Sequence, residues 1–303
     1  MAIALGQIRD LLLPGLMDVT GEYKDLPNFY GQVFKKHKSN LQIEKTVSVR
    51  YQSLPDLKTE GGATSFDNNS GERFKWSMEP LEVGRGYAIT RKAIDDNIYK
   101  TQFKPTALGL SKAFNQFKER QAAAIFNNAT TYDTNLGGDG VALLSTSHPY
   151  DGGVWGNRPS VDLDLNEGSL LDGMTAVRQN FVDEAGLKIY ARAETLVVPL
   201  QLEKVAIRLL KSELRPGTAN NDVNAIQSLS GGITKFIAWD YLTNQRAWYL
   251  KTSIDGFIHL ERVPYETDMQ VDFVTDNLLV KGYERFGFFY NDPRALYGAI
   301  PSW

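Results

Sequence analysis

The stretch Leu41-Gln42-Ile43-Glu44-Lys45-Thr46-Val47-Ser48-Val49-Arg50-Tyr51-Gln52 alternates. Leu41, Ile43, Val47, Val49 and Tyr51 point one way, and Gln42, Glu44, Thr46, Ser48, Arg50 and Gln52 point the other. A period of two is that of a strand with one apolar face. The apolar run returns through Phe74, Trp76 and Met78, breaks at Pro80, and resumes with Leu81, Val83, Tyr87 and Ile89. Between the arms, Pro55 to Gly71 holds Gly61, Gly62, Asp67, Asn68, Asn69, Ser70 and Gly71, residue types that make turns. The pattern predicts one long hairpin over residues 41–90. An arm of about a dozen residues at ~3.3 Å each spans roughly 40 Å, whereas a compact chain of this length has a radius of gyration of about 19 Å. Such a ribbon projects, and two strands alone are marginally stable in water. Its apolar side needs another surface, and a second copy of the chain supplies one.

Composition narrows the function classes. The 303 residues, 42% of them hydrophobic, are enough for a sizeable core in one or two domains. The 33 basic and 36 acidic side chains give a formal charge of −3, unlike the strongly basic balance of a dedicated nucleic-acid binder. There are no cysteines, so disulfides and thiolate metal sites are excluded. The opening MAIALGQIRDLLLPGLMD has no leading Lys or Arg and carries Arg9 and Asp10 inside its apolar run, which fails as a signal peptide. No apolar stretch approaches the ~20 residues of a membrane helix. The expectation is a soluble chain made in the cytoplasm, with no membrane partner.

Along the chain, residues 1–40 read as a short helical piece on Ile8, Leu11, Leu12 and Leu16, followed by a polar arm ending in Lys35, Lys36, His37 and Lys38. Thr90 caps a short helix through Tyr99, and Pro105 opens a long one over 106–128 with Leu110, Ala113, Phe114, Phe117, Ala124 and Ile125 on its apolar side. A glycine-rich loop leads to a helix from Asn166 to Ala185 with Gly186 as its C-cap. A strand at Thr195–Pro199 and a helix from Leu200 to Leu214 follow. Strands are then predicted at Ile233–Trp239, Ala247–Leu250, Phe257–Val263, Met269–Val274 and Leu278–Tyr290. This order is α+β.

No catalytic, metal or cofactor site emerges. His37, His148 and His259 are the only histidines and lie far apart. Asp162, Asp164 and Asn166 open like a calcium loop, but Glu167 and Gly173 occupy the places that need Gly and Glu. Gly84 and Gly86 are followed by Ile89 where a dinucleotide fingerprint requires glycine. Ser145, Ser147 and His148 are close in sequence without an identifiable third partner, so a serine hydrolase is the rival from another class. Lys35 to Lys38 read as a solvated patch or partner contact before a phosphate contact.

Two segments carry a resemblance. Asp139-Gly140-Val141-Ala142-Leu143-Leu144-Ser145-Thr146-Ser147-His148-Pro149, with Asp151-Gly152-Gly153 and Trp155-Gly156-Asn157 after it, resembles a stretch of the Mu-like major head subunits of tailed bacteriophages. Thr195-Leu196-Val197-Val198-Pro199, with Leu202, Ala206, Leu209 and Leu210, is similar to the strand-helix step of the same family, and Asn220 to Asn224 and Ala247 to Leu250 also fit. The resemblance implies an HK97-like capsid fold. Its parts would be an N-terminal arm over 1–40, an extended hairpin loop over 41–90, a peripheral domain from 91–130 and 264–303 with spine helix 106–128, and an axial domain over 131–263.

It further implies a non-enzymatic major capsid protein that forms hexamers and pentamers of an icosahedral shell around double-stranded DNA, touching the DNA without specificity. A separate scaffolding protein is implied because the chain starts almost directly at the arm, with a portal and a decoration protein as further partners. The location would be the virion, assembled in the host cytoplasm. A cellular nanocompartment shell of the same fold is the near alternative. Candidate intersubunit contacts are Phe66, Phe74, Trp76, Met78, Arg85 and Trp303. Lys58 and Asn68 are noted for the covalent subunit links of some relatives.

Overall fold

Proline lacks a donor for the ladder, and Pro80 divides the apolar return arm between two sheets. In the computed structural model, which describes residues 28–68, 70–95, 99–212, 224, 226, 232–233 and 235–302, strand β2 (Glu44–Arg50) pairs antiparallel with β3 (Gly71–Met78). The continuation, β4 (Leu81–Ile89), does not extend that hairpin. It pairs antiparallel with β12 (Leu278–Tyr290), from Leu278 opposite Ile89 to Phe286 opposite Leu81. The hairpin expected over 41–90 is therefore confined to 44–78. Val83 and Tyr87 account for the rest, packing against Leu110, Phe114 and Tyr265 in a core that local periodicity does not reveal.

The chain forms two compact units. One comprises Met1–Gln42, Glu79–Ala122 and His259–Phe288. Its sheet runs β1 (Lys35–Lys38), β11 (Phe257–Val271), β12, β4. The single long β11 replaces two expected strands and continues through Pro264. Helix α1 (Tyr30–Val33) sets Tyr30 edge-on to His259 and Phe288, at 5.3 and 5.2 Å between ring centres. Phe29 N–H donates to Glu119 at 2.6 Å, Lys36 pairs with Glu261 at 2.7 Å, and Lys118 forms a buried ion pair with Glu284. Burial, with Lys118 and Lys36 nearby, pushes the His259 imidazole down to about 3. The helical piece expected around Ile8 to Leu16 lies outside the described residues.

Short helix α2 (Arg91–Asp95) begins where Thr90 was expected to cap it, Ala93 N–H donating to Thr90 Oγ1 at 3.3 Å. The long helix α3 (Tyr99–Asn127) starts seven residues before the predicted 106 and continues through Pro105, giving up one backbone bond there. At 1.5 Å per residue it is roughly 44 Å long.

The second unit comprises Ile43–Met78, Ala123–Ile258 and Phe289–Trp303. Its main sheet is ordered β13 (Leu296–Ala299), β10 (Trp248–Thr252), β8 (Ala193–Val198), β9 (Lys235–Ala238). Strands β8 and β9 are parallel and the other pairs antiparallel. Helix α4 (Glu167–Asn180) is capped by Asn166 and Ser169 bonding reciprocally, and sets Leu170, Met174 and Val177 into the core with Phe181 just after it. It stops five residues short of the expected Ala185. Gly186, at φ +83, turns the chain back instead of capping the helix, with Asp183 N–H bonded to Leu187 O at 2.8 Å.

A short 3-10 turn (Leu200–Leu202) precedes α5 (Glu203–Lys211), which contributes Ala206, Leu209 and Leu210 to the same core. The C-terminal segment was expected in the peripheral domain with the rest of 264–303. After Phe288 it falls in this unit, and β13 seals the β10 edge with Trp248 opposite Ala299.

Candidate assembly surface

The β2–β3 hairpin has two chemically different ends. At its root, a third strand, β5 (Gly137–Gly138), pairs with Lys75 and Trp76. Both glycines have positive φ, and a Cβ on Gly138 would lie 2.4 Å from Trp76 Nε1. The indole therefore lies over bare backbone that only glycine offers. Trp76 is 3% exposed and Met78 1%. Both were expected among the intersubunit contacts, and within this one chain they are covered by its own residues.

Two arginines fix the far end of the ladder, where Arg50 lies opposite Gly71 and the tip begins. Arg50 Nε donates to Asp151 Oδ2 at 2.9 Å, and its Nη1 reaches Asp67 at 3.3 Å. Arg73 Nη1 donates to the Glu184 carbonyl at 2.9 Å. The Glu184 carboxylate is held by Arg294 at 3.0 Å, whose guanidinium lies 5.1 Å from the Trp155 ring centre. Bidentate and shared arginine contacts of this kind set geometry as well as energy. Phe74 is half-buried, edge-on to Trp76 at 6.4 Å and capped by Arg73 at 4.9 Å.

Toward the tip the apolar side chains are left in water. Val49 and Tyr51 at the tip end of the first arm are exposed, as are Leu54, Leu57 and Phe66 beyond it; Ile43, beside the root, is exposed as well. The tip nevertheless has internal order. Asp67 Oδ2 accepts from Ser53 N–H at 2.8 Å and Ser53 Oγ at 2.6 Å, and Ser65 Oγ bonds Asp56 at 2.9 Å. Segment 52–68 folds around an open cup of about 750 Å³ with a mostly polar lining, in which Asp56, Lys58, Ser65 and Asp67 stand beside Leu54, Leu57 and Phe66.

Of the other expected contacts, Phe66 lies exposed in this cup. Arg85 is exposed on β4, opposite Gly282 in the other sheet. Trp303 lies outside the described residues. Sequence reasoning passed over Leu54 and Leu57, although two leucines in a turn-rich segment are the available signal. It also passed over Asp67, Asp151, Arg73 and Glu184, whose pairing depends on contacts distant in sequence.

The serine-histidine loop has a different geometry from a hydrolase. His148 is buried, stacked on Trp155 at 4.6 Å, with Nδ1 2.6 Å from Asp139 Oδ2 and Nε2 3.1 Å from Asn157 Oδ1. Asn157 also accepts from Ser145 N–H and donates to the carbonyls of Leu143 and Pro293. Both ring nitrogens are thus engaged by Asp139 and Asn157, and the imidazole cannot also act as base for Ser147. Ser147 Oγ lies 3.4 Å from Ser145 Oγ. The segment that carried the family resemblance is a polar pin inside the second unit. Among the described residues no group of three or more acidic or histidine side chains could hold a metal, and no helix is long and apolar enough to cross a membrane.

A family model described as phage capsid protein matches residues 79–299 of the chain. No curated protein matches it in sequence. Among solved structures, the capsid of a native GTA particle is similar with a TM-score of 0.57 at 13% identity, over 90% of each chain. The procapsid of bacteriophage JBD30 is similar with a TM-score of 0.54 at 12% identity, over 99% of this chain and 77% of that one. A virus-like particle from Pyrococcus furiosus gives a TM-score of 0.54 at 10% identity, over 95% and 97%. At these identities the likeness is one of fold, the HK97-like capsid fold. The family match begins at Glu79, immediately after the hairpin ends.

Proposed function

The chain belongs to the phage capsid protein family, and from that premise we propose that its copies are the major shell subunits of a tailed-phage head. They assemble as hexamers and pentamers into an icosahedral wall around double-stranded DNA, with the hairpin tip lying over a neighbouring subunit. The observation that carries the role of the hairpin is the contrast along it, from a root buried in its own subunit to a tip that exposes Leu54, Leu57 and Phe66. An ordered segment that leaves three large apolar side chains in water has the composition of an interface core awaiting a partner.

The finer family placement, Mu-like, is supported by residues 139–157, which form the Asp139–His148–Asn157 pin. In the four-part description of the subunit, the arm precedes residue 41, the hairpin is the extended loop, α3 is the spine helix, and the β8–β10 sheet is axial. Phe66, Phe74, Arg85 and Trp303 are kept as intersubunit contacts. The wall meets packaged DNA without specificity, consistent with a charge of −3. Scaffolding, portal and decoration proteins complete the set of partners, and assembly takes place in the host cytoplasm. The subunit acts by association and not by catalysis, which the engagement of both His148 nitrogens supports. A nanocompartment shell shares the fold, and the family match favours the phage reading.

Negative-stain electron microscopy of the purified chain, alone and with a scaffold-containing lysate, tests the proposal. Uniform closed shells or capsomer rings are expected. A monomer under both conditions overturns it.

A further inference from the structure

In the second unit Arg50, Arg158, Arg246 and Arg294 each pair with a carboxylate. Arg192 instead stands over an aromatic ring. Its Cζ lies 5.7 Å from the centre of the Tyr190 ring, and the Arg178 Cζ, from the last turn of α4, lies at the same distance. Tyr190 itself is 68% exposed. Among the described residues Arg192 and Lys188 take part in no salt bridge. On the reading of the chain as a wall around DNA, we propose that Lys188, Arg178 and Arg192, gathered round Tyr190, are the patch through which the second unit touches the phosphate backbone of that DNA.

The backbone holds the patch in place. Along 188–194 exposed side chains alternate with covered ones: Lys188, Tyr190, Arg192 and Glu194 face water, while Ala191 and Ala193 are buried. Ile189 N–H donates to Phe181 O at 3.0 Å, Arg192 N–H to Ser253 Oγ at 3.2 Å, and Ser253 N–H to Arg192 O at 2.8 Å. Glu194 is the one carboxylate in the exposed row and stands at its end. A cation in the last turn of α4 complements the helix carbonyls, which accounts for Arg178 and not for two more cations on a separate segment.

The chemistry of the patch selects its ligand. A guanidinium over a ring gives the ring its face and keeps its N–H edge for oxygens, in the fork that matches a phosphate. The Tyr190 ring, already taken by guanidiniums, offers no platform for an unstacked base, which favours intact duplex over single strands. Double-stranded DNA presents a phosphate charge every ~1.7 Å, so a shallow patch repeated in each subunit engages it without reading sequence. The lysine run of β1 is the weaker candidate. Lys35 to Lys38 lie on an edge strand, where lysines guard the open edge, and Lys36 is paired with Glu261 at 2.7 Å.

The salt dependence of duplex binding tests the patch, read by fluorescence anisotropy of a short labelled DNA with the purified chain before assembly. Three phosphate contacts give a slope of log affinity against log salt of about −3, equal for two unrelated sequences. Arg178→Gln with Arg192→Gln should bring the slope to about −1, while Lys35→Gln with Lys38→Gln should leave it at the parent value. A parent chain that does not bind duplex, a double arginine variant with the parent slope, or a loss of slope in the β1 variant instead overturns the proposal. So does displacement of the duplex by a glutamate-rich peptide at equal charge concentration, which would make the patch a seat for an acidic protein. If the double arginine variant melts below the parent, Lys188→Gln, which leaves the ring stack alone, decides by a slope shallower by about one. A parent chain that forms shells but fails these readings overturns the patch alone, whereas one that never forms shells overturns the shell reading whatever the slopes.

Discussion

The two ends of the β2–β3 hairpin share a backbone ladder and almost nothing else. At the root, Trp76 and Met78 are buried and Gly138 leaves room for the indole, while at the other end of the ladder Arg50 and Arg73 tie the strands to Asp151 and Glu184. At the tip, hydrogen bonds to Asp67 and Asp56 hold the chain in shape while Leu54, Leu57 and Phe66 face water. The buried side of the root is complete in one subunit. The tip is ordered but leaves its apolar side chains in water, and in the proposed function the first serves folding and the second joins subunits. An aromatic in an extended loop is not by itself an interface residue, because neighbouring glycines can bury it at home.

Removing the tip makes the sharpest break between the two ends. Replacing Leu54–Phe66 by a two-residue Asn-Gly turn should leave the melting temperature within a few degrees of the parent, since the contacts of the β2–β3 ladder remain. Shell closure should be abolished, because hundreds of repeated contacts lose their apolar centre together. Micrographs showing normal shells would end the assembly role of the tip. A collapse in melting temperature would show that the tip also holds the subunit.

At the other end, Trp76→Ala should unfold the subunit before assembly becomes relevant. Truncating a buried aromatic to Ala costs about 3–5 kcal/mol, a large part of the stability of an ordinary domain. Urea unfolding of the purified subunit measures it. A loss below about 1 kcal/mol together with failed shells would return Trp76 to the interface and erase the distinction between root and tip.

Local rules made part of this legible. Alternation over 44–50, the Thr90 cap, the α4 period beginning at Asn166, and the β12 run all depend on neighbours in sequence, and all are present. The misplaced pieces depend on partners far away. β4 leaves the hairpin because β12 offers it a longer ladder, and β13 joins β10 although the end of the chain carries no strong turn signal. Burial of Trp76 was illegible for the same reason, since its slot is made by Gly137 and Gly138. The exposed half of the candidate surface needed no distant partner, and Leu54 and Leu57 stand in the sequence as apolar residues among turn formers.

Acid offers a smaller and graded test, acting on buried groups and sparing the tip. His259 is enclosed by Tyr30 and Phe288, with Lys118, Lys36, Glu261, Glu284 and Glu119 around that pocket. Its folded pKa of about 3 lies below the ordinary 6.5, so the unfolded chain binds the extra proton first. The stabilisation is intact above about pH 6.5 and is lost as pH falls toward 3. At about pH 4.5 the loss is about 2–3 kcal/mol. His259→Phe, which keeps the ring stack and gives up an Nε2 that has no hydrogen-bond partner, should remove that part of the acid sensitivity in urea titrations from pH 7 to about 4.5. An unchanged pH slope would place the sensitivity in the carboxylates instead.

The smallest effect is expected at Ser147, and it tests whether exposure alone marks function. Like Leu57, Ser147 is exposed in an ordered loop, but its surroundings supply no chemistry. His148 beside it spends one nitrogen on Asp139 and the other on Asn157. A hydroxyl with only Ser145 for company has no base to make it a nucleophile. Ser147→Ala should change stability by less than about 0.5 kcal/mol, leave shell yield unaltered, and leave the response to a serine-reactive probe at background. Probe labelling of the parent chain that disappears in Ser147→Ala would mean that His148 rotates out of its pin in solution. The hydrolase reading would then return, and exposure at the tip would no longer be distinguished from exposure at this loop.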